Sequence, residues 1–333
     1  MLCGSQISLT LRSERERERE RERMASTAVR AEERQAWQEE LDDEAKATAL
    51  GEFFLSALKE AFRNCFGEVI AESLMREESP DGVLPPLPVG LMVPKRPFSS
   101  VICHRLLNWL MCGHFPVSRD VGLAADGVPA ASVPHQLLDA LLAGETLSSL
   151  HSTGKPLLFL PPSSLPSPEL KSFAHRLIEG LSLRGVLALL GLGRTEGTQD
   201  AAPPSAQELW VAFQQPLPGI DPKHVPMTVG GRALCKHAAR STERFWGDGH
   251  GGSVKKNADA TDKLMALMAD AQWMNLHLLP PYDRVRPCFE IRNSQGYGAR
   301  WMLEQDDGGL ARCVFRGFLE PQSVAGHTTG WIH

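Results

Sequence analysis

The chain has 333 residues, of which 42% are hydrophobic, which suffices for one large domain or two ordinary ones with a substantial core. Its net charge of −5 argues against a nucleic-acid partner, because proteins that bind phosphate backbones usually carry a basic surplus. Seven widely spaced cysteines without a CxxC pair are typical of reduced thiols, so we expect a cytoplasmic or nuclear protein. No apolar run reaches the roughly 20 residues of a membrane helix, so we expect a soluble protein without a membrane partner.

The N-terminal stretch is a low-complexity repeat. Residues 13–24 read SERERERERERM, and this strict Arg–Glu alternation is what a GA-dinucleotide run in a transcript leader encodes when it is read in frame. Side chains two residues apart do not face each other on a helix, so the alternation brings no helical ion pairs. We interpret residues 1–23 as a non-coding leader, with translation starting at Met24, or alternatively as a disordered charged arm.

The next region, residues 24–150, is predicted to be helical. Apolar residues recur at steps of three and four over residues 50–69, which makes one stripe of an amphipathic helix. Two further apolar segments, 100–112 and 134–143, are predicted as helices for the same reason.

Residues 151–217 are predicted as a small β-α-β-like segment with proline-rich loops. The apolar run KPLLFLPP (155–162) reads as a buried strand between prolines. A capped helix over 167–181 follows, and RGVLALLGLG (184–193) then reads as the second strand. ELWVAFQQPL (208–217) is predicted as a further strand.

The last region, residues 218–333, is predicted as a C-terminal α+β domain. Two helical segments, 230–241 and 260–271, precede four strand-like pieces with hairpin-like turns between them. The predicted fold class of the chain is therefore α+β, with a helical N-terminal part and a C-terminal antiparallel sheet covered on one face by helices. The four strands are expected over 273–279, 287–293, 297–303 and 311–320.

Alternation within these strands sorts their side chains onto two faces. One face is apolar, ends in Phe315 and Leu319, and suits packing under the helices. The opposite face, which we call the charged face, is either simply solvated or the site of a ligand, and the use of Arg rather than Lys favours a ligand. The predicted members of the charged face are Asn275, His277, Glu290, Arg292, Arg300, Arg316 and Glu320.

A basic and aromatic group of residues is predicted to add to a ligand site there. A glycine-rich loop at 240–257 carries an aromatic pair that we expect to be exposed, and loops of this composition often bind ligands or anchor themselves to the core. The preceding helix ends with basic residues. The predicted ligand-binding residues are Arg292, Arg300, Arg316, Trp246, Lys236 and His237.

The best functional prediction from these residues is an intracellular binding module that holds a small anionic ligand or an acidic segment of a partner protein. The alternative is an enzyme that uses His and Glu for acid–base chemistry at the same face, and a third reading is a scaffold without a site. A metal-assisted version of the enzyme lacks any familiar ligand spacing, so no metal and no cofactor is assigned. The catalytic candidates are His277, Glu290, Glu320 and His327, and the weak metal candidates are His277, His327 and His333.

Four short motifs between residues 230 and 333 together resemble the signature of a known protein family. KHAARS, GYGARW, FRGFLEP and the final GHTTGWIH resemble the C-terminal signature of an intracellular eukaryotic protein family without an established activity. The resemblance implies that this block is one unit, and it transfers no catalytic residues. We also expect the tail to be docked on the domain, because Trp331 favours burial.

Overall fold

The structure is a computed structural model that describes ten stretches of the chain. The predicted leader, the helix at 134–143, the strand at 155–162 and the tail beyond Pro321 lie outside the described residues. The domain boundaries inferred from the sequence stay predictions. The described residues are 44–78, 92–112, 152, 154, 168–195, 197–218, 225–238, 244–279, 286–305 and 311–321.

Four helices form the N-terminal part of the described structure, and they confirm the helices predicted over this region. Their packing follows the apolar stripe: Phe54, Leu58 and Phe62 are fully buried at helical spacing, and the Phe54 ring stacks on Phe173 at 6.5 Å between centroids. The helices are α1 (Glu44–Phe66), α2 (Glu68–Met75), α3 (Phe98–Cys112) and α4 (Pro168–Leu189).

Two predicted strands are wrong, because both segments are helical. The segment 184–193 continues α4 as far as Leu189, after an interruption at Ser182, where φ is 58°. The segment 208–217 lies mostly within α5 (Ala206–Phe213), whose capping box joins Ser205 and Glu208. Period alone does not distinguish a strand from a helix in short apolar runs of this length.

The C-terminal part consists of two helices followed by four strands, as predicted. Helix α7 begins at Ser253 rather than at 260, so the glycine-rich loop is shorter than expected. The strands form one antiparallel sheet in the order β1-β2-β3-β4, which confirms the α+β fold class. The elements are α6 (Val229–Ala238), α7 (Ser253–Ala269), β1 (Trp273–His277), β2 (Cys288–Arg292), β3 (Gly298–Gln305) and β4 (Ala311–Leu319).

Helices cover one face of this sheet, and the core lies between the two layers. The Phe213 ring of α5 meets Phe315 edge-on at 5.0 Å and Phe318 at 6.0 Å. The Trp301 indole, fully buried, donates a hydrogen bond to the Leu209 carbonyl at 3.1 Å. Helix α5 is therefore part of the C-terminal core, although it precedes residue 218. Among the described residues, no helix is long and apolar enough to cross a bilayer.

A β-bulge in β4 corrects the predicted sorting of side chains. Arg300 pairs with Gly317 while Trp301 pairs with Phe315, so Arg316 is an extra residue in the ladder. Beyond the bulge the alternation is reversed: Phe318 takes the core position expected for Leu319. Glu320 consequently points to the helix-covered side, and its predicted place on the charged face is wrong.

Candidate functional site

The centre of the charged face is the buried carboxylate of Glu290. Its side chain is only 2% exposed, and strand β2 places it directly opposite Arg300 of β3. One carboxylate oxygen, Oε1, accepts from Arg292 Nε at 2.6 Å. The other, Oε2, accepts from Arg300 Nε at 2.9 Å and from Arg300 Nη2 at 2.8 Å. Three charge-assisted hydrogen bonds thus satisfy a charge that burial alone would not tolerate.

The ionisation of Glu290 follows from these neighbours. Burial by itself would raise the pKa of this carboxyl group. The positive charges of Arg292 and Arg300, together with His277, outweigh burial and hold the pKa of Glu290 well below its usual range. Glu290 is therefore an anion at neutral pH.

His277 lies beside this carboxylate at the end of β1. Its Nε2 is 3.7 Å from Glu290 Oε2, which is close enough for a charge interaction but too long for a hydrogen bond. This nitrogen is buried and has no hydrogen-bond partner among the described residues. The side chain as a whole is 13% exposed, so a small part of the imidazole ring is accessible to solvent.

A segment that precedes the predicted domain fixes β1 along its free edge. We call residues 192–195 and 197–199 the edge segment. Gly193 N donates to the Met274 carbonyl at 2.7 Å, and the side chains of Thr195 and Thr198 lie 2.7 and 3.0 Å from Asn275 Nδ2. The edge segment was missed by sequence reasoning. No local pattern marks it, because its partners are nearly 80 residues away.

Arg316 adds a further positive group. It is exposed in the bulge next to Arg300 and makes no ion pair within the part of the chain that the structure describes. The charged face therefore gathers Asn275, His277, Glu290, Arg292 and Arg300 as predicted, with Arg316 at its margin. Three guanidinium groups and one imidazole surround one carboxylate, which leaves a surplus of positive charge.

The remaining predicted residues gather on the opposite side of the sheet. Glu320 Oε1 accepts from Trp246 Nε1 at 2.7 Å and lies 2.9 Å from His237 Nδ1. Trp246 is only 1% exposed, so its expected exposure is wrong and it anchors the glycine-rich loop. Lys236 is exposed one residue before His237. His327 and His333 lie outside the described residues.

Three neighbouring residues at the charged face carry atoms of the kinds that bind metal ions. A nitrogen of His277, the sulfur of Cys288 and an oxygen of Glu290 lie within 4.8 Å of one another. The donor set fits a divalent cation poorly, because Arg292 and Arg300 already occupy both oxygens of Glu290 and would repel the ion. Burial also raises the pKa of the Cys288 thiol to about 12, so this group is protonated.

Residues 221–320 match the family model of the CdiA C-terminal tRNase toxin domain. The matched segment is under a third of the chain, and it runs from just before α6 to the end of β4. It includes the whole sheet, the charged face, His237 and Glu320. Neither curated proteins nor solved structures give a match to the chain.

This match overturns two predictions. A generic binding module for an anionic ligand or an acidic protein segment is wrong, because the matched family is described as an enzyme domain that acts on tRNA. The argument against nucleic acid is wrong for the same reason. Net charge misled because it averages over the chain: residues 221–320 hold 14 Lys and Arg against 12 Asp and Glu, a surplus of two positive charges, whereas the whole chain carries −5.

Proposed function

We propose that the C-terminal domain cleaves RNA of the tRNA class at the charged face. The observation that carries this proposal is the cluster around Glu290, in which the partly exposed side chains of His277 and Arg300 flank a buried carboxylate. The cluster lies within the segment similar to the tRNase toxin domain.

RNA carries its own nucleophile in the ribose 2′-hydroxyl group, so the first step of its cleavage needs no water molecule. The ribose 2′-hydroxyl attacks the adjacent phosphorus, its proton passes to a base, and the 5′-oxygen leaves with a proton from an acid. Positive groups then stabilise the charge that builds on the phosphate oxygens. The products are a 2′,3′-cyclic phosphate and a free 5′-hydroxyl. DNA, which has no 2′-hydroxyl, is not a substrate for this reaction.

The residues divide into a reacting group and its supports. His277 is the proton-transfer residue, because an imidazole ring can both accept and donate a proton. Arg300 binds the scissile phosphate with Nη1, which donates to no described residue, while Nε and Nη2 hold Glu290. Glu290 stays ionised, so it serves as the orienting anion rather than as an acid.

The test is cleavage of purified total tRNA by the full-length protein, with a DNA oligonucleotide for comparison. We expect the wild-type protein to cut tRNA but not DNA, in the presence of a chelator. His277→Gln keeps a polar side chain of similar reach but cannot exchange protons, so we expect its rate to fall by about 10²- to 10⁴-fold. The ends of the fragments report whether a 2′,3′-cyclic phosphate forms.

A matched control is available on the same sheet. Arg286 pairs with Glu304 at 3.0 Å, and its side chain is largely exposed, away from Glu290. Arg286→Gln removes one positive charge from the domain without touching the cluster, so we expect nearly wild-type cleavage. A wild-type protein that leaves every tRNA intact, or a His277→Gln protein as active as Arg286→Gln, would contradict the proposal.

A further inference from the structure

The two polar clusters on opposite sides of the sheet are joined by one arginine. We infer that His237, Glu320 and Trp246, which lie on the helix-covered side, form a positioning relay that acts through Arg292 on Glu290. In its catalytic part this inference rests on the proposed function. The side chains of these three residues lie on the helix-covered side, and Glu320 meets Arg292 through its main-chain carbonyl.

The relay begins at Arg292, whose guanidinium is held at two ends. Its Nε donates to Glu290 Oε1 at 2.6 Å. Its Nη1 donates to the main-chain carbonyls of Gly296 at 2.6 Å and Glu320 at 3.0 Å. Arg292 is almost fully buried, so these bonds are not shared with bulk water. The position of the Glu290 carboxylate is therefore tied to the main chain at the end of β4.

The side chain of Glu320 in turn fixes that end of β4. Its Oε1 lies 2.9 Å from His237 Nδ1 of α6 and 2.7 Å from Trp246 Nε1 of the glycine-rich loop. Glu320 directly follows Leu319, the last residue of β4, and precedes Pro321, the last described residue. These two side-chain partners fix the Glu320 side chain on the helix side, next to the carbonyl that Arg292 binds.

The bulge at Arg316 and Gly317 is what makes the relay possible. Gly317 adopts φ 148°, and the extra residue reverses the alternation beyond it. Glu320 thereby presents its side chain to the helix side while its carbonyl meets Arg292. One residue thus connects α6 to the charged face.

The consequence is a dependence of the reaction on a histidine that never touches RNA. Loss of the contact with Nδ1 leaves Trp246 alone to hold the Glu320 side chain. The Glu320 carbonyl, Arg292 and the Glu290–Arg300 pair then become more mobile. A shift of about 1 Å in a positioning group lowers turnover by up to about 100-fold while substrate binding changes little. His237 is on this account a positioning residue.

A matched pair of substitutions tests the relay in the full-length protein. The amide nitrogen of Asn can take the place of Nδ1, whereas that of Gln takes the place of Nε2. We expect His237→Asn to keep the Glu320 hydrogen bond and His237→Gln to lose it. The primary readout is the NMR signal of the Arg292 Nε–H group in ¹⁵N-labelled protein, which is independent of any RNA.

The expected result is a protected Arg292 Nε–H signal in the wild type and in His237→Asn, and an exchange-broadened or shifted signal in His237→Gln. The kcat for tRNA falls about 10- to 100-fold in His237→Gln at unchanged KM and recovers in His237→Asn. An Arg292 signal that is identical in both variants overturns the relay. Equal loss of activity in both variants with an intact signal also overturns it. If the signals behave as expected but the wild type cuts no RNA, the relay stands and the proposed function fails.

Discussion

At the scale of single residues, the charged face is organised by one buried anion. The ionised form of Glu290 is stabilised because two guanidinium groups offset the loss of hydration. Arg300 donates two hydrogen bonds, from Nε and Nη2, to the same carboxylate oxygen, Oε2. Such buried clusters contribute little net stability compared with an apolar core, but they are costly to break once formed. The cluster therefore constrains what substitutions the site tolerates.

We expect Glu290→Gln to destabilise the protein by about 3–5 kcal/mol at neutral pH, because it leaves Arg292 and Arg300 buried without their anion. The wild-type stability should also depend on pH. The pKa of Glu290 is lowered by folding, so its stabilisation is present above about pH 4.5, the ordinary value, and is lost as the pH falls below it. Urea unfolding between pH 3 and pH 7 measures both effects.

The control for this prediction is Glu304→Gln. Glu304 pairs with Arg286 in a largely exposed ion pair, which should contribute no more than about 1 kcal/mol. A Glu290→Gln protein that is as stable as Glu304→Gln, or that keeps the full acid dependence of the wild type, would show that Glu290 is not the anion on which the site depends.

At the scale of elements, the bulge in β4 decides which side chains share a face. Gly317 adopts a positive φ that side-chain-bearing residues rarely reach, yet a Cβ built there would contact no atom within 4 Å. Any cost of replacing Gly317 is therefore backbone strain and not a clash. A strand glycine is a recognisable signal of a bulge, but its presence alone does not say which later residues exchange faces.

We expect Gly317→Ala to destabilise the protein by about 1–3 kcal/mol through this strain. Gly51→Ala provides the opposite control, since Gly51 lies inside α1 with open space around its Cα, and alanine should stabilise the helix by about 0.5–1 kcal/mol. Urea denaturation of the two variants measures both changes. Equal effects of the same sign would mean that the φ of Gly317 is not strained for alanine.

At the scale of the whole molecule, the C-terminal sheet depends on residues that precede it in the chain. Helix α5 packs Phe213 against Phe315 and Phe318 and accepts the Trp301 hydrogen bond. The edge segment pairs with β1 through Gly193 and the Asn275 side chain. The core of the sheet therefore includes contacts with residues before 218, whereas the family match begins at residue 221.

We expect a fragment of residues 218–333 to lack a fixed core, because it exposes Trp301 and the Phe315–Phe318 surface. A fragment of residues 190–333 retains the edge segment and α5 and should keep far more native structure. The near-ultraviolet circular dichroism of the buried tryptophans, compared with that of the full chain, measures the difference. If the shorter fragment gives the full-length spectrum, α5 is not part of the domain core.

Local periodicity in the sequence was enough to determine the α+β class, the four strands, and the placement of His277, Glu290, Arg292 and Arg300 on one face. Alternation and helical stripes are short-range properties, so they can be recognised in the sequence without knowledge of distant contacts. They could not determine the chemistry, because a charged face looks the same whether it binds a ligand or cleaves RNA, and the proposal of RNA cleavage draws on the similarity to a tRNase toxin domain.

Only the tertiary structure decided the features that depend on distant partners. Segment 184–193 is almost wholly buried, whereas α5 within segment 208–217 exposes Val211 and is fixed at its start by the Ser205–Glu208 capping box. The edge segment meets Asn275 across nearly 80 residues, and Glu320 meets His237 across 83. Glu320 lies on the opposite face from the predicted one, because one extra residue in a strand reverses the face to which every later side chain points. Pairing register is a property of two strands together, and neither strand alone contains it.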